Sequence, residues 1–509
     1  MRLRSLTGPI PPRLTSTALL AAVWATATTA ATAQTILQVD TTTDSAVLTA
    51  CLDAVANDCS LRGAILTANS IPDGTDVVIE LPSQTHTLTI DGPNEAAGMT
   101  GDLDVHRSMT IRRQSGLPRI DGGGAGGLDD RLIELHGVGT LLQIENVILR
   151  NSQPPADLHA INVSLGTTLH FTGGRIETSG TLASGGGAVR VAPLGAATFT
   201  DTTIWFNNGL QGGGVRSSGQ VTFTGTLLRS NFGTNGGAVA LLSGPTASAL
   251  FEDCHLDNNN AIEDGGAVWA GEDTSLTIRR TLAEDNDAFI APIGRGGAVF
   301  ARGGVLIEDS TFLANQADRG AAVHVEGMAG SAAQLDVVNS TFSANETLLA
   351  GWAAIVVEDG TAEMLFTTHA GQFLDLLIDA QSNLSTAGSL YDGGCFAFPG
   401  GIFSSGGGNL APHGVCWAGA PNVGDLVFAN LDLLPLGPYD GPTPTHLPRP
   451  TSPAVGAVSA PCLGLDQRGL PRPVADCTAG AVERQAVESF LFGDDFSSGD
   501  VSQWSTAVP

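Results

Sequence analysis

A glycine pair followed by small and β-branched residues recurs through the middle of the chain. The intact pairs begin at Gly186, Gly213, Gly236, Gly265 and Gly296, and eroded copies begin at Gly320 and Gly351. The Val or Ile after each pair recurs at spacings of 26, 24, 29, 31, 24 and 32 residues. Periods of this length are typical of solenoids, whose units bury an apolar face only by stacking on their neighbours. A propeller is disfavoured, because each blade needs four strands in about 40 residues or more.

Each repeat also carries a short apolar strand, such as residues 221–224 or 276–278, followed by an asparagine. Turns stacked about 4.8 Å apart would align these residues in columns of Val on Val, Phe or Ile on Phe or Ile, and Asn on Asn. The sequence therefore predicts an all-β fold, a right-handed parallel β-helix of the pectate-lyase type with two or three strands in each turn. The asparagine column, predicted as a stack of hydrogen-bonded amides, comprises Asn231, Asn258, Asn286, Asn315 and Asn345. Calcium ligation, or glycosylation at Asn339 or Asn345, is the alternative.

The chain is strongly acidic. Its 51 Asp and Glu residues oppose 23 basic residues, all of them Arg, which gives a formal net charge of -28. Nucleic acid is disfavoured as a partner, because phosphate binding needs a basic surface. The acidity indicates solubility outside a cell, and a surface loaded with Ca²⁺ is the alternative. No cofactor is predicted, although the acidic composition leaves Ca²⁺ binding open.

The N-terminal 33 residues have the pattern of a secretory signal. Arg2, Arg4 and Arg13 give a basic start, residues 19–30 are weakly apolar, and residues 31–33 form an A-x-A cleavage site. The mature chain is therefore predicted to begin near Gln34. No later segment approaches the roughly 18 consecutive apolar residues of a membrane-spanning helix, so no transmembrane helix is expected in the mature chain.

Seven cysteines fit an exported chain, in which disulfides form and persist. Their spacing predicts three locally closed disulfides, with Cys51 bonded to Cys59, Cys395 to Cys416, and Cys462 to Cys477. Cys254 is left as a buried thiol in a repeat strand. Metal binding is the weaker alternative, since no CxxC pair or ordered histidine cluster accompanies these residues.

Residues 59–69, which begin Cys-Ser-Leu-Arg-Gly-Ala, resemble the CSLREA domain of exported bacterial proteins. Residues 77–82 and the Gly-Asp-Leu-Asp segment at 101–104 recur in the same order in that family. Gly63 stands where the family has Glu, which puts any role of that carboxylate in question. The apolar side chains of this segment share one helical face, so it is expected to form a short amphipathic helix that caps the solenoid. These residues are Leu61, Ala64, Ile65 and Ala68.

The C-terminal part resembles the choice-of-anchor Q domain, which ends β-helices in surface proteins. The resemblance rests on residues 405–410, 441–446, 452–455, 466–469 and 472–483. The repeats are similar to those of chlamydial polymorphic membrane proteins, and residues 492–505 are similar to a short ending of exported gammaproteobacterial proteins, either a sorting tag or a solvated tail.

The expected organisation is a signal peptide (1–33), a CSLREA-like cap with the first turns (34–120), β-helix repeats (121–380), a choice-of-anchor Q-like end (381–485) and a tail (486–509).

Acidic residues in the bends before the glycine pairs are catalytic candidates, because stacking would gather them along one edge. Polysaccharide lyases and hydrolases need such carboxylates on adjacent turns. The candidates are Glu263 with Asp264, Asp285 with Asp287, and Asp318 with Arg319. No signature spacing of either enzyme class accompanies them, and solvated loop tips explain them more simply. His255 and His324 are expected to be packed or surface residues, so no catalytic, cofactor-binding or metal residue is assigned.

The sequence thus predicts a secreted or cell-surface protein, located outside a Gram-negative cell or on its outer membrane. Its expected role is that of a non-catalytic β-helix scaffold or adhesin that presents loops to glycans or other surface components. Two alternatives remain open, a polysaccharide lyase or glycoside hydrolase and a Ca²⁺-stabilised structural surface protein.

Overall fold

The structure is a computed structural model that describes residues 34–485, apart from residues 54, 93–95, 129, 154–157, 183–184, 289–292, 329–330, 412–415, 417–421, 423, 428–429 and 460. The predicted signal (1–33) and tail (486–509) lie outside the described residues. In the described part the chain winds through short strands in a repeating order. Each strand of one turn pairs in parallel with its counterpart in the next turn. The predicted parallel β-helix is therefore confirmed.

Four parallel sheets form the sides of the solenoid. The first sheet comprises Gln34–Gln38, Asp76–Leu81, Met109–Arg113, Leu141–Glu145, Thr168–Thr172, Ala196–Thr200, Gln220–Thr224, Ser248–Glu252, Ser275–Arg279, Gly304–Glu308, Ala333–Val338, Gly360–Leu365, Asn383–Ala387 and Ile402–Gly407. The second comprises Leu103–Val105, Ile133–Leu135, Ile161–Val163, Val189–Val191, Val215–Ser217, Val239–Leu241, Val268–Ala270, Val299–Ala301, Val323–Glu326, Ile355–Glu358, Leu374–Ile378 and Gly394–Ala397.

The third and fourth sheets complete each turn. The third sheet comprises Thr85–Thr87, Arg119–Asp121, Ile148–Arg150, Arg175–Glu177, Thr203–Trp205, Leu227–Arg229, His255–Asp257, Leu282–Glu284, Thr311–Leu313, Thr341–Ser343, Thr368–Ala370, Leu390–Tyr391, Leu410–Ala411 and Leu426–Val427. The fourth comprises Asn208–Gln211, Phe232–Asn235, Asn260–Ala261, Asp287–Ala288, Gln316–Ala317 and Glu346–Thr347. Two or three strands per turn were predicted, and six successive turns exceed this with a fourth short strand.

Equivalent side chains form internal columns, as predicted from the repeat. The Val or Ile after each glycine pair aligns with the next through residues 189, 215, 239, 268, 299, 323 and 355. On the first sheet Phe223 stacks on Phe199 and Phe251, with ring centroids 5.1 and 4.7 Å apart. These side chains are fully buried. Stacked apolar columns of this kind supply the core that no single turn can build alone.

An asparagine ladder runs inside the bend between the third and fourth sheets. Each side-chain amide donates from Nδ2 to a backbone carbonyl of the preceding turn, and all but the last, Asn345, also donate to the Oδ1 of the next asparagine. One predicted member was wrong: Asn258 is exposed with a positive φ of 52°, and Asn259 occupies the ladder. The ladder comprises Asn207, Asn231, Asn259, Asn286, Asn315 and Asn345. Stacked amides satisfy buried polar groups that would otherwise be costly.

The predicted capping helix, α1, spans Leu61–Ser70 and buries Leu61, Ala64, Ile65 and Ala68. Ser60 caps it, because its Oγ accepts a hydrogen bond from the Gly63 N–H at 2.9 Å. α1 covers the end of the solenoid and packs against its first strands. In the part of the chain that the structure describes, no helix is long and apolar enough to cross a membrane.

Gly63 has a steric reason to lack a side chain. A Cβ at this position would lie 1.9 Å from the Leu48 carbonyl oxygen. A Glu three residues after an N-cap serine normally reaches back to the backbone N–H of the cap. Here the Ser60 N–H donates to Leu48 O instead, at 3.0 Å. The Leu48 carbonyl oxygen thus accepts the hydrogen bond that a glutamate carboxylate at residue 63 would accept. Because this oxygen lies so close to residue 63, only glycine fits there.

After Leu426–Val427 the chain leaves the stack of turns and packs against the outer face of the third sheet. Thr311 and Thr341 are neighbours on this face. Gln467 donates from Nε2 to Thr311 Oγ1 at 2.9 Å and accepts from Thr341 Oγ1 at 2.6 Å. Thr445 Oγ1 lies 2.7 Å from Thr341 Oγ1. Residues 441–446 and 466–469 therefore hold the C-terminal segment to the side of the solenoid.

The packing of the C-terminal segment against the third sheet also bears on the alternative of glycosylation at Asn339 or Asn345. Asn339 is buried, donates from Nδ2 to Leu465 O at 3.0 Å and accepts from Arg472 Nη2 at 3.2 Å. Asn345 is buried in the ladder. Neither amide is accessible in the folded chain, so glycosylation at these two residues was a wrong alternative.

The three predicted disulfides are present, joining Cys51 to Cys59, Cys395 to Cys416, and Cys462 to Cys477. Each closes a short loop, with the bonded positions 8, 21 and 15 residues apart, outside the central repeats. Cys254 is a buried thiol, as predicted, and burial raises its pKa to about 11. It is therefore protonated at neutral pH and packs as a small apolar side chain.

Candidate functional site

The acidic residues of the bends do not converge on a groove. Asp264 forms a two-point ion pair with Arg295 of the next turn, with Oδ1 to Nε at 3.0 Å and Oδ2 to Nη2 at 2.7 Å. Glu263 accepts a hydrogen bond from Asn235 Nδ2 at 3.1 Å. Each carboxylate thus already has a partner from a neighbouring turn. This pairing fits structural residues better than an acid and base poised around a scissile bond.

The remaining candidates, Asp285 with Asp287 and Asp318 with Arg319, do not come together in one site either. Burial and the neighbouring Asp285 raise the pKa of Asp287 to about 6. Asp318 Oδ2 accepts a hydrogen bond from the Gly294 N–H at 2.8 Å. The Arg319 guanidinium lies over the Trp352 ring, 3.9 Å from its centroid. Stacking brings Asp264, Arg295 and Arg319 into one column, but this column holds one carboxylate and two guanidinium groups and does not pair two carboxylates.

Both histidines that the sequence singled out hold a carboxylate of the next turn. His324 is buried against Phe300 and its Nε2 lies 3.0 Å from Glu358 Oε2. His255 is partly exposed and its Nε2 lies 2.7 Å from Glu284 Oε1. These contacts fit the prediction that the two residues are packed or surface side chains.

A cleft of about 540 Å³ opens where the fourth sheet ends. The last strand of that sheet is Glu346–Thr347, and the following turn has no counterpart to it. Instead the chain passes from Ala370 through Gly371, at a positive φ of 75°, directly to Leu374 of the second sheet. This shortcut leaves an open space beside the free edge of the fourth sheet. The lining includes Asn345, Glu346, Thr347, Gln372, Phe373 and Leu374.

Gln372 continues the asparagine ladder at the floor of the cleft. Its Nε2 donates to Phe342 O at 3.2 Å, the contact that asparagine makes in earlier turns. Its Oε1 is buried and has no hydrogen-bond partner within the described structure. The longer side chain therefore ends the ladder with a free acceptor next to the cleft.

The rim of the cleft is apolar and exposed. Phe373 has 90 % of its surface exposed, although a benzyl side chain is normally among the most buried in a protein. Leu348 and Leu349, between the lining residues Thr347 and Ala350, are 48 % and 39 % exposed. A flat aromatic side chain above a polar floor is an arrangement suited to a ligand with both apolar and hydroxyl faces.

Next to Gln372, a buried carboxyl group lacks a partner for one oxygen. Asp375 is fully buried, its Oδ2 accepts from the Gly393 N–H at 2.8 Å, and its Oδ1 has no hydrogen-bond partner among the described residues. Burial raises the pKa of this carboxyl well above its usual range. A neutral Asp375 carries a proton for which the adjacent Gln372 side chain offers an acceptor.

The Asp375→Asn variant is expected to remove a pH dependence of stability. The pKa of Asp375 is higher in the folded state than in the unfolded state. The stabilisation that its protonated carboxyl gives to the fold is therefore complete below the unfolded pKa and is lost as pH rises towards the folded pKa. One such proton changes the unfolding free energy by at most about 1.4 kcal/mol per pH unit. The variant should match the parent protein near pH 4 and exceed it in Tm at pH 8. Glu363→Gln, at an exposed acid of the strand Gly360–Leu365, is the control. Parallel Tm profiles for the parent and Asp375→Asn would contradict this assignment.

Comparison of the sequence with models of protein families found no match, and comparison with curated proteins found none. The cleft is therefore argued from geometry alone. The sequence interpretation missed Gln372 and Phe373, although one signal was present. The equivalent residues Ile355 and Leu376 are only 21 residues apart, fewer than in any of the earlier turns, which indicates that a strand is missing between them.

Proposed function

We propose that this chain is an exported, non-catalytic β-helix scaffold that binds glycans through the cleft at the end of its fourth sheet. The observation that carries the proposal is Phe373, almost fully exposed at the rim of a cleft with a polar floor. Exposed single apolar residues need no explanation, but an aromatic ring beside a concave site with hydrogen-bonding groups does.

The chemistry of the cleft fits a sugar. The C–H face of a pyranose packs on an aromatic ring, and its hydroxyls can hydrogen-bond to Glu346 and Thr347 of the cleft lining. A net charge of -28 disfavours polyanionic glycans, because their approach would be opposed at long range. The proposed ligand is therefore a neutral polysaccharide or oligosaccharide.

Several features support an exported role. The signal-like sequence of residues 1–33, the three disulfides and the scarcity of basic residues fit a chain that works outside the cell. We also propose that α1 with its flanking loops is a CSLREA-like cap. By the same resemblance, residues 381–485 form a choice-of-anchor Q-like end that places the solenoid on a cell surface. A rigid rod with its ligand cleft on one side is suited to adhesion, because the rod holds the cleft away from its anchor.

Glycan cleavage is the alternative to binding. Hydrolysis commonly needs two carboxyl groups that flank the scissile bond. Glu346 is the one carboxylate among the residues that line the cleft within the described ranges. Binding without cleavage therefore suits this lining better, and the polysaccharide experiment described next measures both binding and cleavage.

The Phe373→Ala variant is expected to bind its glycan at least tenfold more weakly than the parent chain. Burying a Phe side chain against a ligand contributes about 1.5–3 kcal/mol, which is a factor of roughly ten to one hundred. The mature chain is first screened against a panel of neutral and acidic polysaccharides by affinity electrophoresis. The dissociation constant for the best ligand is then measured by calorimetry, and released reducing or unsaturated ends are assayed in the same samples.

Phe206→Ala is the matched control, because Phe206 is also exposed but lies in the turn that follows Thr203–Trp205. It should leave glycan binding and Tm unchanged. Equal binding by Phe373→Ala and Phe206→Ala would reject the cleft as the binding site. Release of sugar ends by the parent chain would replace the binding function with the lyase or hydrolase alternative.

A further inference from the structure

Four carboxylates gather where the second sheet begins, just behind the N-terminal cap. Asp102 and Asp104 belong to the Gly-Asp-Leu-Asp segment at 101–104, and Glu134 is the direct neighbour of Asp104 on the next strand. One oxygen from each of these three side chains lies within 4.8 Å of the other two. Asp130 adds a fourth carboxylate close to Gly101, where a Cβ would lie 2.5 Å from Asp130 Oδ2.

Asp102 is buried without a hydrogen bond to its carboxylate. Its exposed fraction is 1 %, and neither carboxylate oxygen has a hydrogen-bond partner among the described residues. Arg131 Nε lies 3.8 Å from Asp102 Oδ2, beyond hydrogen-bond distance, and makes no hydrogen bond within the described part of the chain. Asp130 is 2 % exposed, and its Oδ2 likewise has no hydrogen-bond partner there. An isolated buried carboxylate is costly, so these oxygens call for a proton or a cation.

The nearby positive charge does not balance the cluster. Arg131 is a guanidinium in ion-pair contact with the cluster, and its Nη1 contacts Glu134 Oε2. Its ion pairs with Asp102 and Asp130 are long, at 3.8 and 3.9 Å. Burial, followed by the repulsion of Asp104 and Asp130, raises the pKa of Asp102 to about 8. Four acids against one arginine leave a buried excess of negative charge.

We propose that Asp102, Asp104, Asp130 and Glu134 form a binding site for one Ca²⁺ ion. Calcium takes carboxylate oxygens at 2.3–2.6 Å, so two of its ligands are separated by at most about 5 Å, which matches the spacing of the Asp102, Asp104 and Glu134 oxygens. Zn²⁺ would favour nitrogen donors, and two imidazoles are near. However, His106 Nε2 already bonds to Ala96 O and His136 Nε2 to Asp104 Oδ1. Among the described residues, the carboxylate oxygens of this cluster without a hydrogen bond are both oxygens of Asp102 and Oδ2 of Asp130, and oxygens are the ligands that calcium prefers. The oxygens of Asp104 and Glu134 already accept hydrogen bonds and would bind the ion through their remaining lone pairs.

The site is linked to the cap through a buried arginine. Arg62 of α1 donates to the carbonyls of Gly98, Gly101 and Asp102 at 3.1, 2.8 and 2.9 Å, and it pairs with Asp44. The loop that carries Asp102 therefore lies between α1 and the second sheet. A bound ion would hold this loop to Glu134 of the following turn, so Ca²⁺ binding should stabilise the cap. This inference does not depend on the proposed glycan function.

Calorimetric titration of the chelator-treated mature chain tests the site. We expect one Ca²⁺ per chain with a dissociation constant of about 10⁻⁴ to 10⁻³ M, as in other extracellular modules. About 10 mM CaCl₂ should raise the Tm relative to MgCl₂ at equal ionic strength. Hydrogen exchange should slow in residues 60–70 and 98–136 and remain unchanged in residues 220–290.

Two variants complete the test. Asp102→Asn should weaken Ca²⁺ binding at least tenfold. Asp257→Asn should not, although Asp257 belongs to a surface cluster with His255 and Glu284. Absence of binding up to about 10 mM, unchanged binding by Asp102→Asn, or Zn²⁺ binding that Ca²⁺ does not displace would each overturn the proposal. A gain in stability for Asp102→Asn with no Ca²⁺ response in the parent would show that Asp102 is simply a protonated acid.

Discussion

Replacement of Asn286 by alanine is expected to lower the unfolding free energy by about 4 kcal/mol. The Asn286 amide donates from Nδ2 to Leu256 O and Asn315 Oδ1, both at 2.9 Å. Its Oδ1 accepts from the backbone and side-chain nitrogens of Asn259, both at 3.0 Å. Alanine leaves several of these buried groups without a partner, and each costs about 1–3 kcal/mol. Urea denaturation followed by circular dichroism measures the loss.

Asn258→Ala is the control for this prediction. Asn258 lies one position before the ladder residue Asn259, is exposed, and bonds to Ser230 Oγ at 3.3 Å. Because Asn258 has a positive φ, alanine there should cost about 1 kcal/mol, well below the loss at position 286. Comparable losses for the two variants would mean that the buried ladder does not stabilise the bend.

The Gly266→Ala variant is expected to have the largest effect, with loss of most soluble folded protein. A Cβ at residue 266 would lie 2.0 Å from Gly297 O and 2.6 Å from both the nitrogen and the oxygen of Asp287. These are backbone atoms of the next turn, fixed by the parallel pairing on either side, so they cannot move aside as a side chain would. Any folded fraction should be destabilised by at least about 3 kcal/mol. Soluble yield and Tm measure the effect.

Gly304→Ala is the matched substitution. Gly304 lies in a strand of the first sheet, and a Cβ there would meet no atom within 4 Å. Alanine should therefore be neutral or slightly stabilising, since it restricts the unfolded chain. If Gly266→Ala expressed and melted like Gly304→Ala, the glycine pairs would not be needed for the close approach of successive turns.

The sequence predicted those features that each turn repeats. The Val or Ile after each glycine pair marks one internal position, so its recurrence gave the register of the second sheet directly. The amphipathic pattern of residues 61–68 gave α1, and cysteine spacing gave the disulfides. Each of these rests on local periodicity or short separation, which a single sequence displays.

Features that depend on contacts between distant segments were not predictable in the same way. Asn258 and Asn259 are adjacent asparagines, and only the positive φ of Asn258 decides which side chain points inward. The buried contacts of Gln467 with Thr311 and Thr341 join residues 156 and 126 positions apart. The cleft arises from a strand that is missing between Gly371 and Leu374, and a missing strand leaves no motif. The carboxylate cluster requires the exact stacking of strand Leu103–Val105 on Ile133–Leu135.

Distances between spin labels along one column test the stacking of turns most directly. Gln220 aligns, through successive pairings, with Gln334, Thr361 and Asn383, which lie four, five and six turns further on. All four side chains are exposed. Each pair of cysteines is labelled in a Cys254→Ser background and measured by pulsed electron paramagnetic resonance. Parallel stacking predicts backbone separations of about 19, 24 and 29 Å, so that the measured distance increases by about 5 Å per turn. Distances that do not increase in equal steps would contradict the β-helix and every conclusion that rests on it.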